Sequence, residues 1–477
     1  HQCCNLESTH HNRHNPACNP AAMQTATKPL KAIPTVKKVG FTQLWDTISR
    51  PLDYLSDCAS LYPDLFRSKV GGYSVPITVI HHPQAIEQIF TNDTKQFSAP
   101  GDITHVLVPV LGSQSLLNLE GDRHRRARKL MMPSFHGERM YHYGQKIVDI
   151  ARDLTQQLPS NCPFPAQTLT QEITVRLILQ IVLGIDGGDR YERIIRAAAA
   201  LLNHFNSPLT VTSLFVSKFQ VNWGSWSPWG RFLQLQADLD EAIYAEIADR
   251  HRDPDPSRTD ILALMMSATD EDGRHLSDRE LRDELMLLIL AGHDTTALAM
   301  AWGLYWLHAL PDIKQNVLAE LAPLGDNPNP MDVFKLPYLT AVCQEVLRIH
   351  PVAAFSFPRR AEEEVDLMGY RMPKGENAII SIHLLHQRSD IYPTPHQFDP
   401  ERFLQRKYSP YEFMPFGGGV RRCVGNALAM YELKLSLATL LQTADFTLLD
   451  RQEPKVQRRG VIFAPKGGIP MRVTQRN

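Results

Sequence analysis

The sequence predicts a mainly α-helical (α+β) protein, a helical body with small β-sheets and a long central helix buried inside it. Three observations carry this reading. Apolar residues recur at helical spacing over long stretches, as at 139–158 and 231–250. Strand-like runs are short and segregated, at 71–80, 365–370, 378–382 and near the C-terminus, so the strand–helix alternation of a parallel α/β fold does not arise. One stretch, 278–310, runs 33 residues without proline, or roughly 50 Å of helix at ~1.5 Å per residue.

Taken in order along the chain, residues 1–22 stand apart: they are rich in His, Asn and Cys and show no apolar period. Cys3, Cys4, His10, His11, His14 and Cys18 offer metal ligands there, but nothing in the segment would order them. Met23 is the expected natural start, no signal peptide is expected, and 23–477 is expected to form a single domain. No internal repeat is visible. The other four cysteines, Cys58, Cys162, Cys343 and Cys423, are widely spaced with no CxxC pair, which points to a reducing compartment, hence a cytoplasmic protein.

The stretch after residue 277 deserves the most scrutiny as a helix. Ser277 and Glu280 form a capping box, and Pro311 closes the pattern. It is apolar enough for a transmembrane span, but Gly292, His293, Asp294, Thr295 and Thr296 sit at its middle, where an Asp in a bilayer costs a few kcal/mol. A helix buried on all sides within the protein fits better, and no transmembrane anchor is expected. Apolar residues at 43% and charged residues at 21% exclude a disordered chain, a collagen and a coiled-coil rod. Fifty basic against 51 acidic residues gives a net charge of −1, which offers nucleic acid no electrostatic footing.

Four constellations carry chemistry. The first is Phe416-Gly417-Gly418-Gly419-Val420-Arg421-Arg422-Cys423-Val424-Gly425, after which apolar spacing from Asn426 reads as helix. The glycines permit a tight turn against something flat or bulky, and a helix start with two arginines favours the Cys423 thiolate. That makes Cys423 a metal ligand or nucleophile; a buried structural cysteine is the plain alternative. The second is Glu345 and Arg348, one helical turn apart, with Arg402 as a third member if the pair is buried. The third is Ala291-Gly292-His293-Asp294-Thr295-Thr296. A mid-helix glycine suggests close approach of a ligand, and Asp294 with Thr295 offers an acid and an alcohol for proton relay; a threonine bonded back to the preceding turn is the alternative. The fourth is His124 to Lys129, where His124 and Arg128 can grip one anionic group.

These constellations, in this order, resemble those of the cytochrome P450 family, over residues 30 to 473. The resemblance implies the P450 fold and a monooxygenase with haem b, whose iron Cys423 would ligate as the axial thiolate. It implies that Asp294 and Thr295 supply protons and that His124, Arg128, Arg359 and Arg421 hold the haem propionates. Ala291, Phe416 and Gly425 would line the haem, and Glu345, Arg348 and Arg402 would form a structural triad. Arg359 is chosen over Arg360 by counting back from the 365–370 strand. The family often has Trp where His124 stands, which would make the propionate contact pH-sensitive.

The same resemblance sets expectations for partners. The glycine-rich loop is closer to fatty-acid and terpenoid hydroxylases of a soluble bacterial type, and no reductase is expected in the chain. Electrons would come from a separate ferredoxin or flavodoxin, docked on Arg126, Lys129, Arg422 and Lys434, and the protein would act as a monomer. By family position the pocket would draw on 103–118, Ala291, Thr295, 352–357 and 461–463, mostly apolar and without Lys or Arg, so a lipophilic fatty acid, alkane or terpenoid is expected. Phe215, Phe219, Trp223 and Trp226 fall in the family's lid region, where they would touch lipid, line an entry channel or simply pack. The competing functions are a peroxide-dependent peroxygenase or hydroperoxide isomerase, and a haem-based sensor or lipid carrier.

Overall fold

The computed structural model, which describes residues 29–37, 46, 49–68, 76–101, 107–135, 139–205, 207–215, 217–459 and 462–476, is organised around helix α9 (Asp278–Ala309). The His/Cys-rich segment 1–22, residues 71–75 of the early strand run, 103–106 of the expected substrate loop and Val461 lie outside the described residues. The capping box expected at the start of α9 is present in both directions: Ser277 accepts from the Glu280 N–H, and the Glu280 carboxylate accepts from the Ser277 N–H at 2.8 Å. Among the described residues α9 is the one helix long and apolar enough to cross a membrane, yet 72% of its apolar window is buried against protein. It is a core helix.

Helix α1 (Pro83–Thr91) packs in a separate apolar cluster with the largest sheet. Around α9 pack α2 (Val108–Leu111), α3 (Gly121–Met131), α4 (Arg139–Gln157), α5 (Ala166–Ile178), α6 (Asp189–His204), α7 (Pro208–Phe215), α8 (Pro228–Arg252), α10 (Pro337–Ile349) and α11 (Asn426–Thr443). Their apolar faces form one continuous core with α9 that includes Ile173, Leu285, Trp302, Val346 and Leu437. Contact between α5 and α9 is close: a Cβ added at Gly292 would lie 2.5 Å from Ile178 Cδ1. Gly292 is therefore explained by helix packing, and the ligand contact expected from it is not required.

The sheets are small and segregated. The largest has the order β1 (Leu65–Ser68), β2 (Ile77–Ile80), β5 (Asn377–Ile380), β4 (Arg359–Ala361) and β3 (Phe97–Ser98). The β2–β5 pair is parallel and the others are antiparallel. A hairpin of β6 (Val456–Arg459) and β7 (Ile462–Pro465) is tied to the 352 segment by the Phe463 N–H to Val352 O bond at 3.1 Å. The run expected as one strand at 365–370 is instead a hairpin, Val365–Leu367 against Tyr370–Met372. Met368 and Gly369 at its turn both take positive φ, a conformation no strand holds. The run at 378–382 likewise stops at Ile380, because Ser381 caps a short helix by accepting from the Leu384 N–H.

Candidate active site

The loop 416–425 is shaped by what packs behind it. Gly417 and Gly419 have φ of 67° and 62°. A Cβ at Gly418 would lie 2.3 Å from the Phe90 ring, and one at Gly419 would lie 2.0 Å from Asp93 Oδ2. The bulky group the glycines admit is thus α1 and its C-terminal extension. Asp93 also accepts from the Val420 N–H at 2.8 Å, and the Cys423 N–H closes the turn onto Phe416 O at 3.0 Å. Cys423 sits deep within the protein, yet its side chain keeps accessible surface. Burial lifts its pKa, against the lowering effect of the Gly425 N–H and of the Arg128 and Arg422 guanidiniums. The expectation of a thiolate favoured by the helix start and cations alone is corrected: a further positive partner is needed to hold the sulfur ionised.

Cations converge beside this sulfur. Arg359 lies buried on β4, paired with Asp93 (3.0 Å from Nη2 to Oδ2) and bonded to Phe357 O and Gly418 O. Strand alternation sends Arg360 the other way, toward Asn377. Arg421 reaches the carbonyls of Leu116 and Ala99, each at 2.9 Å, and that of Leu119. Burial and the neighbouring Arg359 depress its pKa to about 10. His124 is buried one turn from Arg128 on α3, and burial together with Arg421, Arg128 and Arg359 pushes its pKa down to about 3. It stays neutral around pH 7, so the pH-sensitive contact expected of it does not arise from these protein groups. Among the described residues neither the His124 ring nor the Arg128 guanidinium has a hydrogen-bond or ion-pair partner. Three arginines and a histidine against one paired aspartate make a site for anionic groups.

On α9, Ala291 is exposed although the helix around it is buried. Thr295 Oγ1 donates to Ala291 O at 2.7 Å, the back-bonded arrangement. Asp294 does not bond to Thr295. Its Oδ1 accepts from Gln171 Nε2 at 2.7 Å, and its Oδ2 lies 3.8 Å from Arg459 Nη2 at the end of β6. The helix α11, which begins after Gly425, packs directly on α9.

The buried pair on α10 is fully connected. Arg348 makes two bonds to Glu345, at 2.7 and 2.8 Å, and a third to His386 O at 2.8 Å. Glu345 also accepts from Arg402 at 3.2 Å and from the Asp399 N–H at 2.9 Å. Glu345 and Arg348 are wholly inaccessible to solvent. This is the condition under which a buried ion pair is tolerated.

The cytochrome P450 family model matches residues 33–470. The chain belongs to the cytochrome P450 family. Cytochrome P450 135B1 of Mycobacterium tuberculosis is 34% identical over 425 residues, 88% of this chain and 87% of that protein. Cytochrome P450 138 of the same organism is 33% identical over 82% of this chain and 85% of its own length. Among solved structures, a cyanobacterial P450 with retinoic acid bound, CYP120A1, superposes with a TM-score of 0.80 at 24% identity, covering 94% of this chain and 100% of its own. The haem domain of cytochrome P450DA gives 0.82 at 22% identity, covering 94% and 98%. The mainly α-helical P450 fold and the haem cofactor with its iron follow, as does the activity of an oxidoreductase monooxygenase with a small-molecule substrate and a redox partner. The site fits the cofactor: an accessible thiol that needs a positive partner stands near Arg128 and a neutral His124, both without a partner among the described residues, and near Arg359 and Arg421, a set suited to two propionates.

Two expectations about this P450 are corrected. The basic docking surface is smaller than expected. Lys434 is buried with its ammonium on Phe334 O and Arg126 is largely covered by Asp270 and Glu280, whereas Arg422 is exposed and Lys129 is exposed in a surface pair with Glu271. The expected pocket segments hold no Lys or Arg, but Arg459 stands two residues before one of them, with its Nη2 3.8 Å from Asp294 Oδ2. Sequence reasoning missed Phe90, Asp93, Gln171 and Arg459. No local pattern marks Asp93, whose partners lie 266 and 327 residues away. Arg459 alone lies close in sequence to an expected pocket segment, two residues before 461–463.

Proposed function

We propose that Cys423 is the axial thiolate of the haem and that this P450 inserts oxygen into an unactivated C–H bond of a lipophilic fatty acid, alkane or terpenoid. The observation that carries the assignment of Cys423 is the accessible sulfur deep in the 416–425 loop, beside His124, Arg128, Arg359 and Arg421. Haem with its iron supplies the activation of dioxygen. Arg128, Arg359 and Arg421 hold the propionates by charge-assisted bonds, with neutral His124 as a hydrogen-bond partner beside them; Arg421 does so while anchoring Leu116 and Leu119, which couples cofactor seating to the distal loop. Thr295 Oγ1 hands on a proton, and Asp294, held in reserve by Gln171 and Arg459, replenishes it. Glu345, Arg348 and Arg402 act structurally.

The apolar character of Ala291, Val352, Phe355, Phe357 and Phe463 supports the lipophilic substrate class. Electrons come from a separate ferredoxin or flavodoxin and the protein works as a monomer in a reducing, cytoplasmic setting; the free thiols of Cys58, Cys162, Cys343 and Cys423 support the compartment. The test begins with the reduced carbonyl spectrum, which should be that of a thiolate-ligated haem and vanish in Cys423→Ala. A lipid panel with retinoic acid among its members should then shift the ferric Soret band. Turnover should require NADPH, reductase and ferredoxin; turnover with peroxide alone would favour a peroxygenase, and a Soret response without any turnover a sensor or carrier.

A further inference from the structure

Where the segment 111–119 meets the start of α9, polar groups are buried that no bond satisfies. Among the described residues, the Ser115 hydroxyl, Asn118 Oδ1 and both carboxyl oxygens of Glu284 lack a hydrogen-bond partner. Ser115 is wholly inaccessible, Glu284 is 1% exposed and Asn118 8%. An unpaired buried oxygen costs stability, and folded proteins keep few of them. Four at one junction call for a partner from outside the chain.

The chain brings these groups together and fixes them. The Gln114 N–H donates to Asp283 Oδ2 at 2.8 Å, so the segment lies against the turn of α9 that carries Glu284. Ser115 O accepts from the N–H groups of Asn118 at 2.8 Å and Leu119 at 3.1 Å, which folds Asn118 back beside Ser115. Asn118 Nδ2 is spent on Gly112 O at 2.7 Å, so it is the amide oxygen that remains to be satisfied. Along α9, Glu284, Leu288, Ala291 and Thr295 follow one another by four, three and four residues and share one stripe. That stripe opens at Ala291 and Thr295, and Glu284 lies roughly 10 Å along the axis from Ala291. Burial lifts the Glu284 pKa to about 8; the Leu116 N–H, close by without completing a hydrogen bond, opposes this, and the Asp283 and Glu280 carboxylates add to it. The carboxyl therefore keeps its proton around pH 7 and presents one O–H donor and one carbonyl acceptor.

This set has a definite chemistry. An alkane would leave all four oxygens unpaired. A carboxylate would accept from the Glu284 O–H but bring no donor for Asn118 Oδ1. A hydroxyl both donates and accepts, so it can give to Asn118 Oδ1 while taking from Glu284 or Ser115. We propose that Ser115, Asn118 and Glu284 form a specificity site that receives a hydroxyl on the substrate, which makes the favoured lipophile a long-chain or terpenoid alcohol. The inference rests on the lipophilic substrate class proposed above and narrows it. The hydroxyl is held at the Glu284 end of the stripe, and the apolar remainder runs past Leu288 and Ala291 toward Thr295, so the carbon presented for oxidation is remote from the carbon that already bears oxygen.

Binding is read without turnover, from the ferric Soret shift of the haem-loaded full chain. The titrants are an alkane, a primary alcohol and a fatty acid of one chain length, and a terpenoid alcohol beside its parent hydrocarbon. Each alcohol should bind about tenfold more tightly than the hydrocarbon of the same skeleton, and the primary alcohol should bind more tightly than the acid. Glu284→Leu should remove most of that preference while its thermal midpoint stays at or above wild type, since an unpartnered acid gives way to an apolar group. Glu284→Gln, which keeps a donor and an acceptor, should retain the preference. Ser115→Ala should weaken alcohol binding about threefold and leave hydrocarbon binding unchanged. The inference is overturned if alcohol, alkane and acid bind alike, or if Glu284→Leu keeps the preference. It is equally overturned if Glu284→Leu lowers the midpoint while Ser115→Ala leaves the preference intact, the pattern of a group that only holds the 111–119 segment. If hydrocarbons and acids bind and alcohols do not, the lipophilic class stands and this inference alone fails; if no lipophile shifts the band, both fail.

Discussion

The two sides of the cofactor loop are held by different means. On the side of α10 and β4, Glu345, Arg348 and Arg359 are buried and multiply bonded: Glu345 accepts from Arg348, Arg402 and Asp399, and Arg359 is shared among Asp93, Phe357 and Gly418. On the distal side neutral and charged groups share the holding: Gln236 donates to Pro109 O and Val110 O, and Asp283, paired with Arg282, accepts from the Gln114 N–H. On the first side each removal strands a charge without water, whereas the Gln236 amide can be lost without leaving a charge behind.

Mutations can break this contrast, beginning with the largest expected effect. Glu345→Ala or Arg348→Ala should cost about 3–5 kcal/mol and leave little folded, haem-loaded protein, since the remaining charge is buried alone; normal haem content in either variant would remove the contrast. Asp93→Ala should cost about 2–3 kcal/mol, read as a lower thermal midpoint and faster haem loss, because Arg359 and the Val420 N–H both lose their partner. A midpoint equal to wild type would show that the loop is held by its glycines alone.

Smaller effects sharpen the comparison. In a Gly292→Ala background, Ile178→Val should recover about 1 kcal/mol, because it deletes the Cδ1 that the new methyl meets. Absence of coupling, with weaker ligand binding instead, would return Gly292 to a ligand-facing role. Glu432 on α11 is an exception to the pairing rule: it is fully buried, and desolvation raises its pKa to about 8. Its folded value lies above the ordinary 4.5, so the folded chain keeps the proton between these limits and loses stability as pH rises through them. Glu432→Gln should therefore raise the thermal midpoint at pH 8 and change it little at pH 5; an equal change at both would exclude the titration. Trp226→Ser, at an exposed position ahead of α8, should shift stability by no more than about 0.5 kcal/mol.

Legibility in the sequence followed the same divide. Cys423, Glu345 with Arg348, and the Asp294–Thr295 pair stand in short local patterns, and the capping box at Ser277 located α9 to within a residue. Contacts that join distant segments leave no such local mark. Nothing near Asp93 signals Arg359 or Gly419, and nothing near Gly292 signals Ile178, so in sequence a glycine needed for packing looks the same as one that faces a ligand. Charge runs misled in a related way: Arg126 and Lys129 look free in sequence because Asp270 and Glu271 arrive from far along the chain. The 365–370 run hid its hairpin in Met368, an unusual residue for positive φ.

The clamp of Asp93 on Val420 also sets a timetable. The two residues are separated by 327 positions, and a ribosome adds roughly 5–20 residues per second, so Asp93 waits roughly 15–65 s for its partner to be made. Arg359 finds Asp93 already made, but until Val420 follows the glycine run is not clamped, and the nascent chain has no finished cradle for a prosthetic group. Cofactor capture in this protein is accordingly a late event, following release of nearly the whole polypeptide, and a cell short of haem would accumulate full-length apoprotein before any stalled fragment.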